Sequence, residues 1–243
     1  IDLATIKPID METILESDGL PSPDIKSITQ DRWGLVWVSS RGGIAFNNGL
    51  TWEKVNLDTL ATSSSDGILE TSPQGNVWAL LSGHQPSLLK NHFCHNWESV
   101  PLPLEITSTH RDFYKLALAE VNEKTVVAIA ILPNLIFVST DEGWTQVPLA
   151  ENGVQNINDL LTWDDRFIVA TSQGVYSFSA ANPTEISSLF STVPPNPAKC
   201  LSVNNLDNSL WMVGEDWIGV FAGEKLEFLL SSQGERFTCF TDH

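Results

Sequence analysis

A short apolar segment recurs along the chain about every 40 residues. Each copy is rich in Val, Ile, Leu, Trp or Ala and is separated from its neighbours by Gly, Asn, Asp or Pro residues. Short β-branched and aromatic runs between turn residues are typical of β-strands rather than helices. The copies are Leu35–Val38, Asn76–Leu80, Thr125–Ala128, Phe167–Ala170 and Leu210–Val213. The sequence therefore predicts an all-β protein built from repeated units.

An aromatic residue marks the start of a further strand about 15 to 20 residues after the apolar segment. These residues are Trp52, Trp97 and Trp144, with Phe228 as a weaker fourth copy. A repeat of about 40 to 45 residues that contains four short strands is the pattern of a propeller blade. We therefore expect a β-propeller of four-stranded blades, with five blades visible and a further one unfinished.

We interpret residues 1–243 as a single β-propeller domain. The segments 10–16 and 236–242 are expected to be closing strands or strands of an unfinished blade, because propellers remove exposed edges by pairing strands from the two chain ends. Two alternatives stay open. The chain is either a piece of a longer six- or seven-bladed propeller, which we favour, or a compact propeller with an irregular last blade. The five expected blades cover approximately residues 23–56, 64–102, 113–150, 155–190 and 198–231.

The charge balance restricts the classes of partner. With 30 Asp and Glu against 13 Lys and Arg, the net charge of −17 disfavours nucleic acid and anionic lipid, since both need clustered cations. The most apolar stretch, Thr125–Val138, is interrupted by Pro133 and is too short to span a bilayer. We expect no nucleic-acid partner and no direct membrane insertion.

One stretch near the start resembles a known propeller repeat. Gly19–Ser22 is followed by an apolar strand, then by Asp31, Gly34, Val36–Trp37 and Gly43–Phe46. This order is similar to the repeat of two-component-regulator propellers. The resemblance implies a sensory domain outside the cytoplasm, upstream of a membrane helix and a kinase or cyclase.

A second resemblance is to the Asp-box turn of sialidases and related propellers. Ser139–Thr145 follows its Ser-x-Asp-x-Gly-x-Thr pattern, and Asn47–Trp52 is a degenerate copy with Asn47 in the Asp position. In the family this turn is structural, and its carboxylate accepts hydrogen bonds from turn amides. The resemblance therefore implies structural roles for turn residues of both copies. These residues are Asn47, Gly49, Ser139, Asp141 and Gly143.

The sequence carries no complete catalytic or metal-binding motif. Sialidase chemistry would need three arginines around a carboxylate and a Tyr–Glu nucleophile pair, and the arginines of this chain do not converge on the expected pocket. His92, Cys94 and His95 lie in one predicted turn and lack a fourth ligand for a structural metal. We expect no enzyme activity, no metal and no cofactor.

Loops on one face of the propeller supply the candidate binding site. The loops between second and third strands and the loops between blades converge around the axis, and we call this side the funnel face. There we expect a small polar ligand, a glycan or a protein partner, with Trp217 stacking on it and the arginines pairing with anionic groups. The expected residues are Arg41, His84, Arg111, Glu215, Asp216 and Trp217.

We therefore expect a non-catalytic recognition propeller, with an extracytoplasmic, periplasmic or secreted location. The preferred function is ligand sensing in a bacterial signalling protein. Alternatives are a stand-alone Asp-box scaffold or assembly factor that binds a protein partner, and a fragment of a glycoside-acting propeller enzyme. The repeat pattern places Cys200 and Cys239 at offset positions along their strands, so no bridge between them is expected.

Overall fold

Twenty short strands make up most of the regular structure of the described chain. The computed structural model describes residues 13–57, 60, 67–82, 85–107, 113–189, 196–204, 206–222 and 225–231. Consecutive strands pair antiparallel into five four-stranded sheets.

The first sheet contains β1 (Ile25–Gln30), β2 (Val36–Ser40), β3 (Gly43–Asn47) and β4 (Trp52–Lys54). The second sheet contains β5 (Gly67–Thr71), β6 (Val77–Leu81), β7 (Ser87–Phe93) and β8 (Asn96–Val100). The third sheet contains β9 (Phe113–Val121), β10 (Lys124–Ile131), β11 (Leu135–Thr140) and β12 (Gly143–Gln146). The last two hold β13 (Ile157–Trp163), β14 (Arg166–Thr171), β15 (Gly174–Ser179) and β16 (Ile186–Ser188); and β17 (Cys200–Asn204), β18 (Ser209–Val213), β19 (Trp217–Ala222) and β20 (Lys225–Ser231). The helical segments are α1 (Leu104–Thr107) and two 3₁₀ turns, Glu16–Asp18 and Ala150–Asn152.

The second strand of each inner sheet is buried on both faces. In β6, Val77, Ala79 and Leu81 belong to a core shared with the first sheet, whereas Trp78 and Leu80 belong to a core shared with the third. All five residues are buried. A strand that is covered on both faces has no polar face, and its sequence is therefore a continuous apolar run. This is the physical origin of the recurring apolar segments.

Hydrophobic cores fill the spaces between consecutive sheets. One core joins sheets one and two, and the others join sheets two and three, three and four, and four and five. The first strands lie side by side in the order β1, β5, β9, β13 and β17. Sheets that stack in this way, each with its first strand at the centre, form a β-propeller. The predicted fold class is confirmed, and the structure describes five blades.

The sequence predicts strands near both ends of the chain, over 10–16 and over 236–242. Of the strand expected over 10–16, the described part from Thr13 onward is not a strand, and the chain enters the 3₁₀ turn at Glu16. The carboxylate of Asp18 accepts a hydrogen bond from the N–H of Leu15 at 2.7 Å, which favours the turn over an extended segment. That expectation is therefore wrong for the described residues. The expected strand over 236–242 lies outside the described chain.

The cysteines also differ from the expectation. Cys200, the first residue of β17, is disulfide-bonded, so the doubt about a bridge at this position is wrong. The distance between the two Cα atoms decides whether two cysteines can be joined, and spacing along the sequence does not reveal that distance. Cys94 is a free thiol, partly buried, and Cys239 lies outside the described residues. Burial, and then the charges of Asp31 and Glu53, raise the pKa of Cys94.

The cysteine assignment predicts the result of thiol labelling. Of the three cysteines in the chain, iodoacetamide should label one in urea without reductant and all three after reduction. In the folded protein, Cys94 should react slowly at pH 7.5 and faster at pH 9.5, because the raised pKa leaves little thiolate near neutrality. Mass spectrometry counts the labels, and two or more labels without reductant would contradict the assignment.

Candidate functional site

The first strands of the five blades surround an axial channel of about 800 Å³. This volume lies within the range of small-molecule binding sites. Polar atoms contribute more of the exposed wall than apolar atoms do, and charged side chains project from four of the strands or from the loops that follow them. The charged lining residues are Lys26, Glu70, Lys115, Asp159 and Asp164. The channel therefore combines a polar, partly charged lining with a smaller number of exposed apolar side chains.

Asp159 on β13 joins three blades at the channel wall. Its Oδ1 lies 3.2 Å from the Nζ of Lys115 on β9, and its Oδ2 accepts a hydrogen bond from the N–H of Leu201 on β17 at 2.8 Å. Oδ1 also accepts the N–H of Leu160 at 2.9 Å. A carboxylate with only 5% of its side chain exposed needs such donors to offset its lost hydration. Asp159 is thus a structural anchor whose acceptor capacity is largely used.

Bulges at the starts of the first strands position this contact. The pairing between β13 and β14 shifts between Ile157 and Asp159, and the pairing between β1 and β2 shifts between Ile25 and Ser27. Ser27 is the counterpart of Asp159 in blade one, because its hydroxyl accepts the N–H of Leu69 on β5 at 3.0 Å. In both blades the residue after the bulge bonds to the next first strand, since a bulge re-aims the side chain that follows it.

Glu70 on β5 is the second carboxylate of the channel interior, and its environment is different. It is partly buried, and it makes no hydrogen bond or ion pair within the described segments. Burial raises its pKa from 4.5 to about 7, although the nearby charge of Lys115 acts in the opposite direction. Near neutral pH, Glu70 is therefore divided between its acid and carboxylate forms.

The funnel-face end of the channel carries a cluster of charges around Asp24. Its Oδ1 lies 3.1 Å from the Nζ of Lys26, and its Oδ2 lies 3.6 Å from the Nε of Arg41. Arg41 is in the loop between β2 and β3, as expected, with 72% of its side chain exposed. It lies beside the channel entrance and does not line the channel.

The structure brings together three other expected site residues, but it gives them a different role. Asp216 Oδ1 accepts a hydrogen bond from Asn196 Nδ2 at 2.9 Å, and Glu215 lies 3.7 Å from Lys199. Trp217 is 1% exposed, and its Nε1 donates to the carbonyl of Asn196 at 2.9 Å. These contacts hold the segment that leads into β17. A stacking role for Trp217 is wrong, because its ring is enclosed by the core between blades four and five.

Two further expected residues, His84 and Arg111, lie outside the described residues. His92 and His95, which were considered as metal ligands, instead approach Glu98 at 2.9 Å and Glu53 at 3.4 Å. Within the described ranges, no three His, Cys, Asp or Glu side chains are placed to hold a metal ion.

The two Asp-box-like turns also differ from each other. Asn47 Oδ1 accepts the N–H of Gly49 at 2.7 Å, and Gly49 has a φ of 93°, which is a turn-stabilising arrangement. Asp141 does not bond to the turn amides. Its carboxylate is 82% exposed and lies 2.6 Å from Lys124, so the role implied by the resemblance does not hold for its side chain.

The remaining residues of the second turn contribute through the backbone or the neighbouring strand. Ser139 accepts the N–H of Val127 on β10 at 2.8 Å. Gly143 has a φ of 126°, in the region that favours glycine, and this allows the tight connection between β11 and β12. The short turn points the Asp141 side chain toward β10 and solvent rather than back across the turn.

Sequence reasoning missed the four charged residues on the first strands. Lys26, Glu70, Lys115 and Asp159 lie within the expected blades, but no site was predicted at these positions. A signal was present for three of them, because Glu70, Lys115 and Asp159 each interrupt a run that is otherwise mainly apolar. A charge on an apolar innermost strand has to face either a partner or the channel.

Several solved β-propellers resemble this structure, although no family model and no curated protein matches the sequence. The extracellular domain of a hybrid two-component system, BT4673 from B. thetaiotaomicron, aligns with 86% of this chain and 28% of its own, at a TM-score of 0.59 and 14% identity. Virginiamycin B lyase from Staphylococcus aureus aligns with 85% of this chain and 70% of its own, at a TM-score of 0.63 and 16% identity.

YCF48 bound to D1 peptide aligns with 85% of this chain and 68% of its own, at a TM-score of 0.56 and 18% identity. The shared feature is the fold. Extracellular domains of two-component systems are thus among the similar propellers, as the resemblance of Gly19–Phe46 implied. This chain spans less than a third of that two-component chain. Both sensors and enzymes use the architecture, so function has to be argued from the site.

No helix in the described parts of the chain is long and apolar enough to cross a membrane.

Loss of the Asp159 carboxylate should destabilise the propeller. Asp159→Ala removes two hydrogen bonds from backbone N–H groups and the ion pair with Lys115, so the free energy of unfolding should fall by about 3 kcal/mol. The matched control is Asp141→Ala, which breaks an exposed ion pair and should cost at most about 0.5 kcal/mol. Urea denaturation measures both, and equal losses would contradict the anchoring role.

The raised pKa of Glu70 predicts a pH-dependent stability. In the unfolded chain the carboxyl has its ordinary pKa of 4.5, whereas in the fold the pKa is about 7. The folded state therefore holds the proton more tightly, and this stabilisation is lost as pH rises through 7. Between pH 5 and 9, Glu70→Gln should gain about 2 kcal/mol relative to the wild type.

Urea denaturation across this pH range tests the prediction, with Glu227→Gln on the exposed outermost strand β20 as the control. The control should follow the wild type at every pH. A Glu70→Gln variant that also follows it would show that the carboxyl titrates normally.

Proposed function

We propose that this propeller is the non-catalytic recognition domain of an extracytoplasmic signalling protein, and that its ligand enters the axial channel. The observation that carries the proposal is the channel itself, with about 800 Å³ of space and Glu70 left without a bonded partner in the described chain. The likeness to the BT4673 extracellular domain supports the signalling context. The funnel-face opening, next to Asp24 and Arg41, gives a polar entrance.

The chemistry of the channel favours binding over turnover. Glycoside hydrolysis uses two carboxyl groups in separate roles, one as acid and the other as base or nucleophile. Glu70, with a pKa near 7, could serve as one. Asp159 is unsuited to be the other, because Lys115 and two backbone N–H groups already occupy its oxygens.

A specific observation supports the scaffold alternative as the second candidate. Trp33 and Phe93 are 43% and 57% exposed on the side opposite the funnel face, and their rings meet edge to face at 5.2 Å. The guanidinium of Arg32 lies 4.1 Å from the ring centroid of Trp33. Exposed aromatic and arginine side chains are typical of protein contacts. In this alternative, a peptide partner binds that patch and the channel stays empty.

A channel-blocking variant tests the proposed function. Ser202 on β17 is exposed and lines the channel, so Ser202→Trp should fill part of it. The matched control is Ser99→Trp on the exposed outermost strand β8. Thermal shift measurements would use amino acids, amines, dicarboxylates and sugars. At least one compound should raise the Tm of the wild type and of the control, but not that of Ser202→Trp.

The other candidate functions give different outcomes. Compounds that raise the Tm of all three proteins equally, or of none, would overturn channel recognition. Release of nitrophenolate from chromogenic glycosides would instead support the enzyme alternative. A partner that is lost in Trp33→Ser but retained in Ser202→Trp would support the scaffold alternative.

A further inference from the structure

Two first strands place an apolar side chain and a carboxyl group at the same height in the channel. Ser27 on β1 bonds to both the N–H and the carbonyl of Leu69 on β5, at 3.0 and 3.2 Å. Two residues further along, the hydroxyls of Thr29 and Thr71 lie 2.7 Å apart. Ile28 and Glu70 each stand between these contacts, and both line the channel. Because side chains alternate along a strand, Ile28 points away from blade two and Glu70 points toward blade three, so the two reach the channel at the same height but from different sides.

Ile28 is unusually open for a residue of an innermost strand. Its side chain is 59% exposed, although the strand lies at the centre of the propeller. Leu161 and Val203 extend the apolar wall on the opposite side of the channel. An apolar group of a ligand that covers this surface would gain the free energy of removing it from water.

The charged side chains that line the channel differ in whether they form an ion pair or a hydrogen bond. The two lysines are paired, Lys115 with Asp159 and Lys26 with Asp24. At the far end, Asp164 Oδ1 accepts a hydrogen bond from Asn208 Nδ2 at 2.6 Å. Of the charged lining residues that the structure describes, Glu70 is the one without a hydrogen bond or ion pair. The carboxylate form of Glu70 would be stabilised by a bound cation, and the net charge of −17 attracts cations to the protein.

We propose that the axial channel binds a small amphipathic amine, with its ammonium group at Glu70 and its apolar part along Ile28. This inference rests on the proposed function, because it names the ligand class of the same channel. An ammonium group supplies the donors that Glu70 lacks, and a compact aryl or alkyl body covers the exposed wall. A neutral sugar would leave the carboxylate without a counter-charge.

Binding of such an amine should depend on pH. The groups that surround Glu70 in the channel are Lys26 on β1, Lys115 on β9, Asp159 on β13 and Asp164 after β13. Between pH 6 and 8, Glu70 changes from mainly protonated to mainly ionised, because its pKa is about 7. Affinity should therefore rise about tenfold over this range, in proportion to the ionised fraction of Glu70.

Three probes of the same shape test the charge requirement. Phenethylamine, 2-phenylethanol and phenylacetate differ mainly in carrying a cation, a neutral hydroxyl and an anion. Isothermal titration at pH 6 and pH 8 measures their affinities for the wild type, for Glu70→Gln and for the control Glu227→Gln. Phenethylamine should bind best, about tenfold more tightly at pH 8 than at pH 6. Glu70→Gln should weaken that binding at least about tenfold at pH 8 and abolish its pH dependence.

The outcomes separate the ligand class from the function. Phenylacetate or the alcohol binding more tightly than the amine, in a manner blocked by Ser202→Trp, would overturn the amine assignment and leave channel recognition standing. Equal amine binding by wild type and Glu70→Gln would also overturn the assignment. If neither these probes nor the wider set of compounds shows binding that Ser202→Trp blocks, both proposals fall. Circular dichroism of Glu70→Gln confirms that the variant is folded.

Discussion

The carboxylate of Asp159 is the contact on which the centre of this propeller depends. Blades three, four and five meet at its two oxygens through Lys115, Leu160 and Leu201. No backbone ladder joins one described blade to the next, because each sheet contains the strands of one blade. Contacts between first strands therefore depend on side chains. Three donors on a buried carboxylate offset its desolvation and fix the spacing of the strands that enclose the channel.

Two carboxyl groups of the same channel illustrate how local donors determine chemical character. Asp159 follows a bulge that directs it at N–H groups and an ammonium group, and it stays bound within the wall. Glu70 stands on a regular part of β5 and faces space rather than donors. Burial alone then dominates its pKa. Asp159 therefore stabilises the fold, whereas the Glu70 carboxyl group is free to interact with a molecule that enters the channel.

The fold was predictable from the sequence because its strongest signal is local. Second strands between two cores have no polar face, so they appear as apolar runs at a constant interval. In blade one, the apolar run Leu35–Val38 overlaps β2, and the aromatic marker Trp52 is the first residue of β4. The site was less predictable, because it depends on distance from the axis. Trp217 sits beside polar loop residues in sequence, yet its ring is enclosed, and Glu70 sits in an apolar strand, yet it faces the channel.

Three of the hydrogen-bonded contacts between first strands share one interval along the chain. Ser27 and Leu69, Thr29 and Thr71, and Asp159 and Leu201 are each 42 residues apart. Matching positions of successive units therefore meet at the axis, while the outer loops differ in length. Duplication of one unit in the gene would add a blade whose hydrogen-bonded ladders are complete within themselves. Only a few side-chain contacts would have to form anew, so propellers of this design can gain or exchange blades by recombination without rebuilding a sheet.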